Sequence, residues 1–331
     1  MVVVLGIETT CDETAASVVK DGRTILSNVV HSQVDLHRQY GGVFPEMASR
    51  RHVDVLIPII EEAITQAKIT RSEINLIAVA ANPGLMGALL MGLSAAKALA
   101  YSWKIPFVGV NHIEAHLYAA MMHLEHPPLP AIGLIVSGGH TSLLRIDEIG
   151  KYTPIGNTLD DAVGEAFDKT ARLLGLPYPG GPEIEKIAKT GDPKKVPFKP
   201  GRIKEKPFHF SFSGLKTQVL YAMKTDPNVA DVAASFQETA LNDLVDKALL
   251  ALKTFSLNAI YIGGGVSNNL RLRTLFQEKA PQNTQIFWPE KGLSLDNAAM
   301  IAGLGYHIYH NNPTSDPFDL TPSPTSRSDS L

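Results

Sequence analysis

The layout of strands in this chain is laid down twice, and that constrains its fold more than any other feature. Val2 to Glu8, Thr14 to Lys20 and, after the turn at Asp21-Gly22, Thr24 to Val30 are apolar runs of strand length that predict an antiparallel meander. Helical and strand-like stretches then alternate: a long helix from Pro45 to Lys68, strand Leu76 to Ala80, a small-residue helix from Gly84, and strand Phe107 to Val110. Near Pro127-Pro128 the pattern restarts with Ala131 to Ser137, the hairpin signal Gly138-Gly139, His140 to Asp147 and Tyr152 to Thr158. A helix from Asp160 to Leu174, strand Ala259 to Ile262, a helix from Leu270 to Lys279, strand Thr284 to Trp288 and a helix from Asn297 follow. Meanders that pass into alternating elements predict an α/β chain of two duplicated domains, over 1–128 and 129–310, with the chain free to cross back between them. A length of 331 residues agrees, because single cores stop growing below that size. From 311 to 331 the composition turns to Ser, Thr, Pro and Asp, which predicts a loose tail.

The chemistry concentrates at Asn111-His112-Ile113-Glu114-Ala115-His116, where a strand runs into a helix. Histidines four apart lie on one helical face and can offer two imidazoles to one metal ion. Glu114 sits two residues after His112, roughly 200° round the helix, so the general base of a zinc protease is missing. A third ligand has to come from elsewhere; Asp296, opening the last helix, is either that ligand or a helix cap. Gly263 to Asn269 is a glycine run between strand and helix, where backbone amides can face an anion. Ser137-Gly138-Gly139-His140-Thr141 and Thr9-Thr10-Cys11-Asp12-Glu13 are polar turns at equivalent places in the two meanders, which suggests a nucleotide clamp.

A net charge of -3 excludes a globally basic nucleic-acid binder, so any such contact must be local. The local candidate is Pro193 to Ser213, with Lys194, Lys195, Lys199, Arg202, Lys204 and Lys206 against Glu205, and Phe198, Phe208, Phe210 and Phe212 interleaved as stacking surfaces for unpaired bases. Cys11 is the single cysteine, which excludes an internal disulfide and fits a reducing cytoplasm. Met1 leads straight into a strand with no signal-peptide pattern, and the apolar stretch Leu85 to Ala96 is short for a bilayer span of about 20 residues.

Gly6-Ile7-Glu8-Thr9-Thr10-Cys11-Asp12-Glu13-Thr14, Asn111 to His116, Val136 to Thr141, Tyr178-Pro179-Gly180-Gly181-Pro182, Phe212-Ser213-Gly214-Leu215-Lys216, Gly264 to Asn269 and Asp296-Asn297-Ala298-Ala299-Met300 occur in that order. Together they resemble the tRNA N6-adenosine threonylcarbamoyltransferase family, in its bacterial and organellar branch, over residues 2–310. The resemblance implies the actin/Hsp70/sugar-kinase-like fold, two duplicated ribonuclease-H-like domains around a nucleotide cleft. It implies transfer of a threonylcarbamoyl group from threonylcarbamoyl-AMP to the N6 amine of adenosine 37 in tRNAs reading codons that begin with A. By motif, His112, His116 and Asp296 would bind one iron or zinc ion. Val136, Ser137, Gly138, Gly139 and His140 would hold the threonylcarbamoyl-phosphate end. Asp168, Gly181 and Glu185 would take ribose and adenine, Asn269 would close the site, and Asp12 or Glu13 would relieve the amine of its proton. Partners implied are an inactive paralogue of the same fold and a small P-loop ATPase. Thr10 stands where serine is frequent, Leu295 where threonine is, and Asn268 where alanine is; none removes a side chain these roles require. A metalloendopeptidase and a sugar-kinase-type phosphotransferase are the competing readings; the first lacks a base beside the metal water, and the second leaves His112 and His116 without purpose.

Overall fold

The computed structural model describes residues 1–201 and 203–325. The chain forms two compact units, Met1–Pro127 with Ile149–Lys151 and the segment from Pro289 onward, and Pro128–Glu148 with Tyr152–Trp288. In chain order the elements are β1 (Val3–Glu8), β2 (Glu13–Lys20), β3 (Thr24–Ser32), α1 (Val34–Arg38), α2 (Pro45–Gln66), β4 (Leu76–Asn82), α3 (Met86–Trp103), β5 (Phe107–Asn111), α4 (His112–Ala119), β6 (Ala131–Val136), β7 (Thr141–Glu148), β8 (Lys151–Asn157), α5 (Val163–Leu173), α6 (Gly180–Ala188), α7 (Ser213–Ala222), α8 (Val229–Phe255), β9 (Ala259–Gly263), α9 (Leu270–Lys279), β10 (Gln285–Phe287) and α10 (Ala298–Asn311). The sequence reading assigns no element to the stretch that forms α7 and α8.

Both sheets have five strands and one topology, β3-β2-β1-β4-β5 in the first unit and β10-β9-β6-β7-β8 in the second. In each, the first strand pairs antiparallel with the second and parallel with the fourth, so it is central and buried on both faces; β1 and β6 are apolar runs without alternation for that reason. In the first unit, α2 and α3 bury Leu56, Ile59, Ile60, Leu93 and Ala96 against Leu5, Ile7, Ile77 and Val79 on one face of the sheet. The other face takes α10, and Gly6 is the reason it fits: a Cβ there would run into the Ala298 carbonyl and lie 2.8 Å from Ala302 Cβ. In the second unit, α5, α6, α8 and α9 close over β6 and β9 through Phe167, Phe236, Leu241, Leu244, Leu275 and Phe276.

Three sequence expectations are corrected. Residues 289–310, placed in the second domain with the chain allowed to cross back, cluster with the first unit, where α10 packs on β1, β4 and α4. Residues 313–325, expected to be loose, are fastened to the first unit: Asp316 N donates to Phe107 O (2.9 Å), Gly109 N to Asp316 Oδ2 (2.6 Å) and Ser323 N to Ala81 O (3.0 Å). Finally, Phe210 and Phe212 are fully buried core residues, so neither can stack on a base. Among the described residues no helix is long and apolar enough to cross a membrane.

Candidate functional site

Helix α4 starts where it does because Asn111, the last residue of β5, caps it: its Oδ1 accepts from Ile113 N (2.9 Å) and Glu114 N (3.2 Å). His112 is thereby the first helical residue and His116 lies one turn on, both buried. From the segment before α10, Asp296 reaches the same point, with Oδ1 3.1 Å from His116 Nε2 and 3.6 Å from His112 Nε2. The ligand atoms of the three all lie within 4.8 Å of one another. Asp296 is not the cap of α10; that role belongs to Asn297, whose side chain accepts from Met300 N (3.1 Å). Freed from capping, two neutral-capable imidazoles and a carboxylate converging through Nε2, Nε2 and Oδ1 make a donor set suited to one divalent transition metal, with positions left for other ligands. Residues 112, 116 and 296 therefore fit a metal ion.

Glu8, which no motif argument singled out, lies behind His112. It is fully buried; Oε2 sits 2.8 Å from His112 Nδ1, and Oε1 accepts from Thr10 N at 2.5 Å. Burial disfavours the imidazolium, but Glu8 and Asp296 outweigh it and push His112 up to about 9. The signal in the sequence was an acid ending an otherwise apolar central strand, a place where an ionisable group survives only with a partner.

The loop from Thr9 to Glu13 wraps this site. Thr9 Oγ1 donates to Ala88 O (2.9 Å) and Leu85 N to Thr10 O (2.8 Å), which fixes the loop to the start of α3. His52 on α2 completes it, with Nδ1 2.7 Å from Thr14 Oγ1 and Nε2 3.0 Å from Cys11 O. Burial pushes the Cys11 thiol up, helped by Asp12, so it is packing and not a thiolate nucleophile. Glu13 accepts from Ser32 Oγ (2.9 Å) and is pushed up to about 9 by burial and by the charges of Asp296 and Asp12. Burial alone raises Glu114 to about 7.

In the second unit Val136 to His140 and Asn269 follow the carboxyl ends of β6 and β9, where open α/β sheets bind ligands, whereas Asp168 lies on α5 and Gly181 and Glu185 on α6. Ser137 N donates to His140 O (2.9 Å) and His140 N to Ser137 Oγ (3.0 Å), forming a tight turn over Gly138 and Gly139, which face open space. Gly264, with φ +93°, comes so close to the Val136 carbonyl that a side chain there would collide with it, and Gly164 packs as closely on Gly138. Val136 itself is fully buried and offers only its backbone. Asp168 on α5 accepts from Gly180 N (2.7 Å); its carboxyl is raised by burial against the pull of the Gly180 and Gly181 amides. Glu185 accepts from Leu270 N (2.9 Å). Asn269 is committed to the protein: Oδ1 caps α9 through Leu272 N (3.0 Å) and Nδ2 donates to Gln237 Oε1 (2.9 Å). A groove of about 1130 Å³ at the opposite ends of the strands, lined by Pro128, Leu250, Lys253 and Thr284, shares none of these residues.

Of the basic loop, Lys194, Lys195, Lys199, Lys204 and Lys206 are exposed, and Arg202 lies outside the described residues. Gln218 on α7 clasps the loop, accepting from Lys199 N and donating to Lys199 O, both at 2.9 Å.

With this geometry in view, comparison with known proteins is direct. A profile of the family described as TsaD, tRNA N6-adenosine threonylcarbamoyltransferase, matches residues 24–303. A tRNA N6-adenosine threonylcarbamoyltransferase of Protochlamydia amoebophila (strain UWE25) is 57% identical over 332 residues, covering 96% of either chain. One from Anaeromyxobacter dehalogenans (strain 2CP-C) is 47% identical, covering 98% of this chain and 99% of its own. Two solved structures share the fold: full-length HypF in its phosphate- and nucleotide-bound form, with a TM-score of 0.66 at 15% identity over 95% of this chain and 47% of that one, and component A of the Acidaminococcus fermentans (R)-2-hydroxyglutaryl-CoA dehydratase, with a TM-score of 0.56 at 13% identity over 94% and 100%. The two sheets are thus those of the actin/Hsp70/sugar-kinase-like fold. The chain belongs to the tRNA N6-adenosine threonylcarbamoyltransferase family, transferases that modify tRNA.

Proposed function

We propose that this transferase takes threonylcarbamoyl-AMP as donor and acylates the N6 amine of adenosine 37 in tRNAs reading codons that begin with A, and that one divalent ion, iron or zinc, is held by His112, His116 and Asp296. The convergence of these three side chains on one point carries the reading. When bound, the ion supplies positive charge that orients the donor and polarises its oxygen. The donor is a mixed carbamic and phosphoric anhydride, already activated, so the chain's own task is to position it and stabilise developing charge. The Ser137 to His140 turn, with Gly138 and Gly139 bare of side chains, suits the threonylcarbamoyl-phosphate end, and the groups near Asp168, Gly181, Glu185 and Asn269 suit the nucleoside. For Asn269 the committed amide favours a part played by shaping the start of α9 rather than by direct bonding. Asp12 or Glu13 takes the proton of the amine; burial and the charges of Asp296 and Asp12 raise the Glu13 carboxyl above the usual carboxylate range. The tRNA is gripped by Lys194, Lys195, Lys199, Lys204 and Lys206, with Arg202, through its phosphates. The chain works in the cytoplasm with an inactive paralogue and a small P-loop ATPase.

The test supplies radiolabelled threonine, bicarbonate, ATP, tRNA and an enzyme that makes the intermediate, and reads both label on tRNA and metal per chain. His112→Ala, His116→Ala and Asp296→Ala are expected to lose both. Asn297→Ala is expected to keep both while losing about 1 kcal/mol of stability as a helix cap. Full metal and full activity in Asp296→Ala would remove it from the site.

A further inference from the structure

The two histidines differ in what stands behind them. On His112, Nδ1 faces the buried Glu8 carboxylate at 2.8 Å and Thr10 Oγ1 at 3.3 Å, while Nε2 points to Asp296. On His116, Nδ1 is buried with no hydrogen-bond partner among the described residues, and Nε2 points to Asp296. A carboxylate only accepts, so Glu8 holds the proton on Nδ1 of His112 and leaves the Nε2 lone pair turned to the metal position. The other oxygen of Glu8 accepts from Thr10 N, so one side chain fixes both the ring and the root of the loop that carries Asp12 and Glu13.

We infer that Glu8 is the positioning residue of the metal centre: it sets the tautomer and basicity of His112 and ties the Thr9 to Glu13 loop to the metal helix. This rests on the metal reading above. Thr10 is an accessory that the 3.3 Å distance makes weaker. A buried carboxylate in contact with a ligating imidazole raises its basicity, and loss of such partners costs metal affinity tenfold to a hundredfold. With no counterpart on His116 among the described residues, that contribution falls on one ligand, so removing it should alter the ligand field and not merely the occupancy.

The experiment compares wild type, Glu8→Gln and Thr10→Val of the full chain, loaded with Co²⁺ as a spectroscopic stand-in. Binding is measured by competition with a chromophoric chelator, and the visible d–d bands are recorded. Gln is isosteric with Glu and neutral, so the fold is retained, with thermal unfolding of the metal-free proteins as the check. Expected are roughly 10–100-fold weaker Co²⁺ binding and shifted bands for Glu8→Gln, with Thr10→Val close to wild type. Unchanged affinity and bands in Glu8→Gln, while wild type binds one equivalent, would overturn the positioning role and leave the metal reading intact. A wild type that binds no Co²⁺ would overturn both. A variant that melts early yet binds with wild-type affinity and bands would make Glu8 a purely structural buried acid, which also overturns the inference.

Discussion

His307 shows how one side chain outside the metal set holds that set in place. Tyr118, on the same helix as His112 and His116, is buried; its hydroxyl donates to Gly22 O at 2.8 Å and so accepts from His307 Nε2–H at 2.9 Å. His307 belongs to α10, which follows Asp296, so the bond links the helices on either side of the centre. Burial pushes His307 down to about 4, with His310 and Arg23 acting in the same direction. Its folded pKa lies below the unfolded value near 6.5, so the unfolded chain binds the extra proton first. The stability that neutral His307 contributes is complete above about 6.5 and is lost as pH falls through about 4. One proton gives a slope of at most about 1.4 kcal/mol per pH unit, less here because the ring is partly screened by solvent. Urea midpoints from pH 7 to 4 should therefore fall less steeply in His307→Gln than in wild type; identical slopes would mean that the imidazole is accessible in the fold.

At the scale of elements, what was legible was whatever periodicity or spacing alone decides. The i, i+4 histidines, the two meanders and the glycine run each follow from local geometry, and the structure puts helix, hairpins and turn where those patterns predict. Glu8 escaped because an acid at the end of a strand reads like the first residue of a turn; only the fold brings His112 against it. Phe210 and Phe212 were misread because basic neighbours drew attention to the loop. Their period of two was the better signal: Phe210 N bonds Asn157 O and Phe210 O accepts from Leu159 N, a strand-like segment with its apolar face inward. Gly6 was legible as a motif but not as a reason. Its missing Cβ lets α10 lie on β1, so Gly6→Ala must push the helix that follows Asp296 away from the strand that ends in Glu8. A loss of about 1–3 kcal/mol is expected from overpacking, read as a lower melting temperature, together with weaker metal binding. Wild-type melting would show that the helix can shift at no cost.

Across the chain, one topology serves twice, with β5 and β10 as the counterpart edge strands of the two sheets. The outer edge of β5 is covered by segment 313–325. Composition hid this, because Ser and Asp replace a strand's backbone groups with side chains: Phe107 N donates to Ser315 Oγ (3.2 Å) and Gly109 N to Asp316 Oδ2 (2.6 Å). Phe318 packs at 5.5 Å, centroid to centroid, on Phe107, and Lys97 Nζ donates to Leu320 O at 2.6 Å. Gly109 permits the approach, since a Cβ there would stand 3.0 Å from Leu320 Cδ2. The covered strand runs directly into α4, so order at the edge is order at His112. Ending the chain after Asn312 should therefore bare the Gly109 amide, cost on the order of 2 kcal/mol in lost apolar cover and hydrogen bonds, and leave an unpaired edge prone to self-association. Hydrogen exchange at Phe107 to Val110, urea midpoints and sedimentation of the truncated chain measure the three effects. Retained protection of Gly109 in a monomeric, equally stable chain would show that β5 holds its edge, and the metal helix beyond it, without the segment.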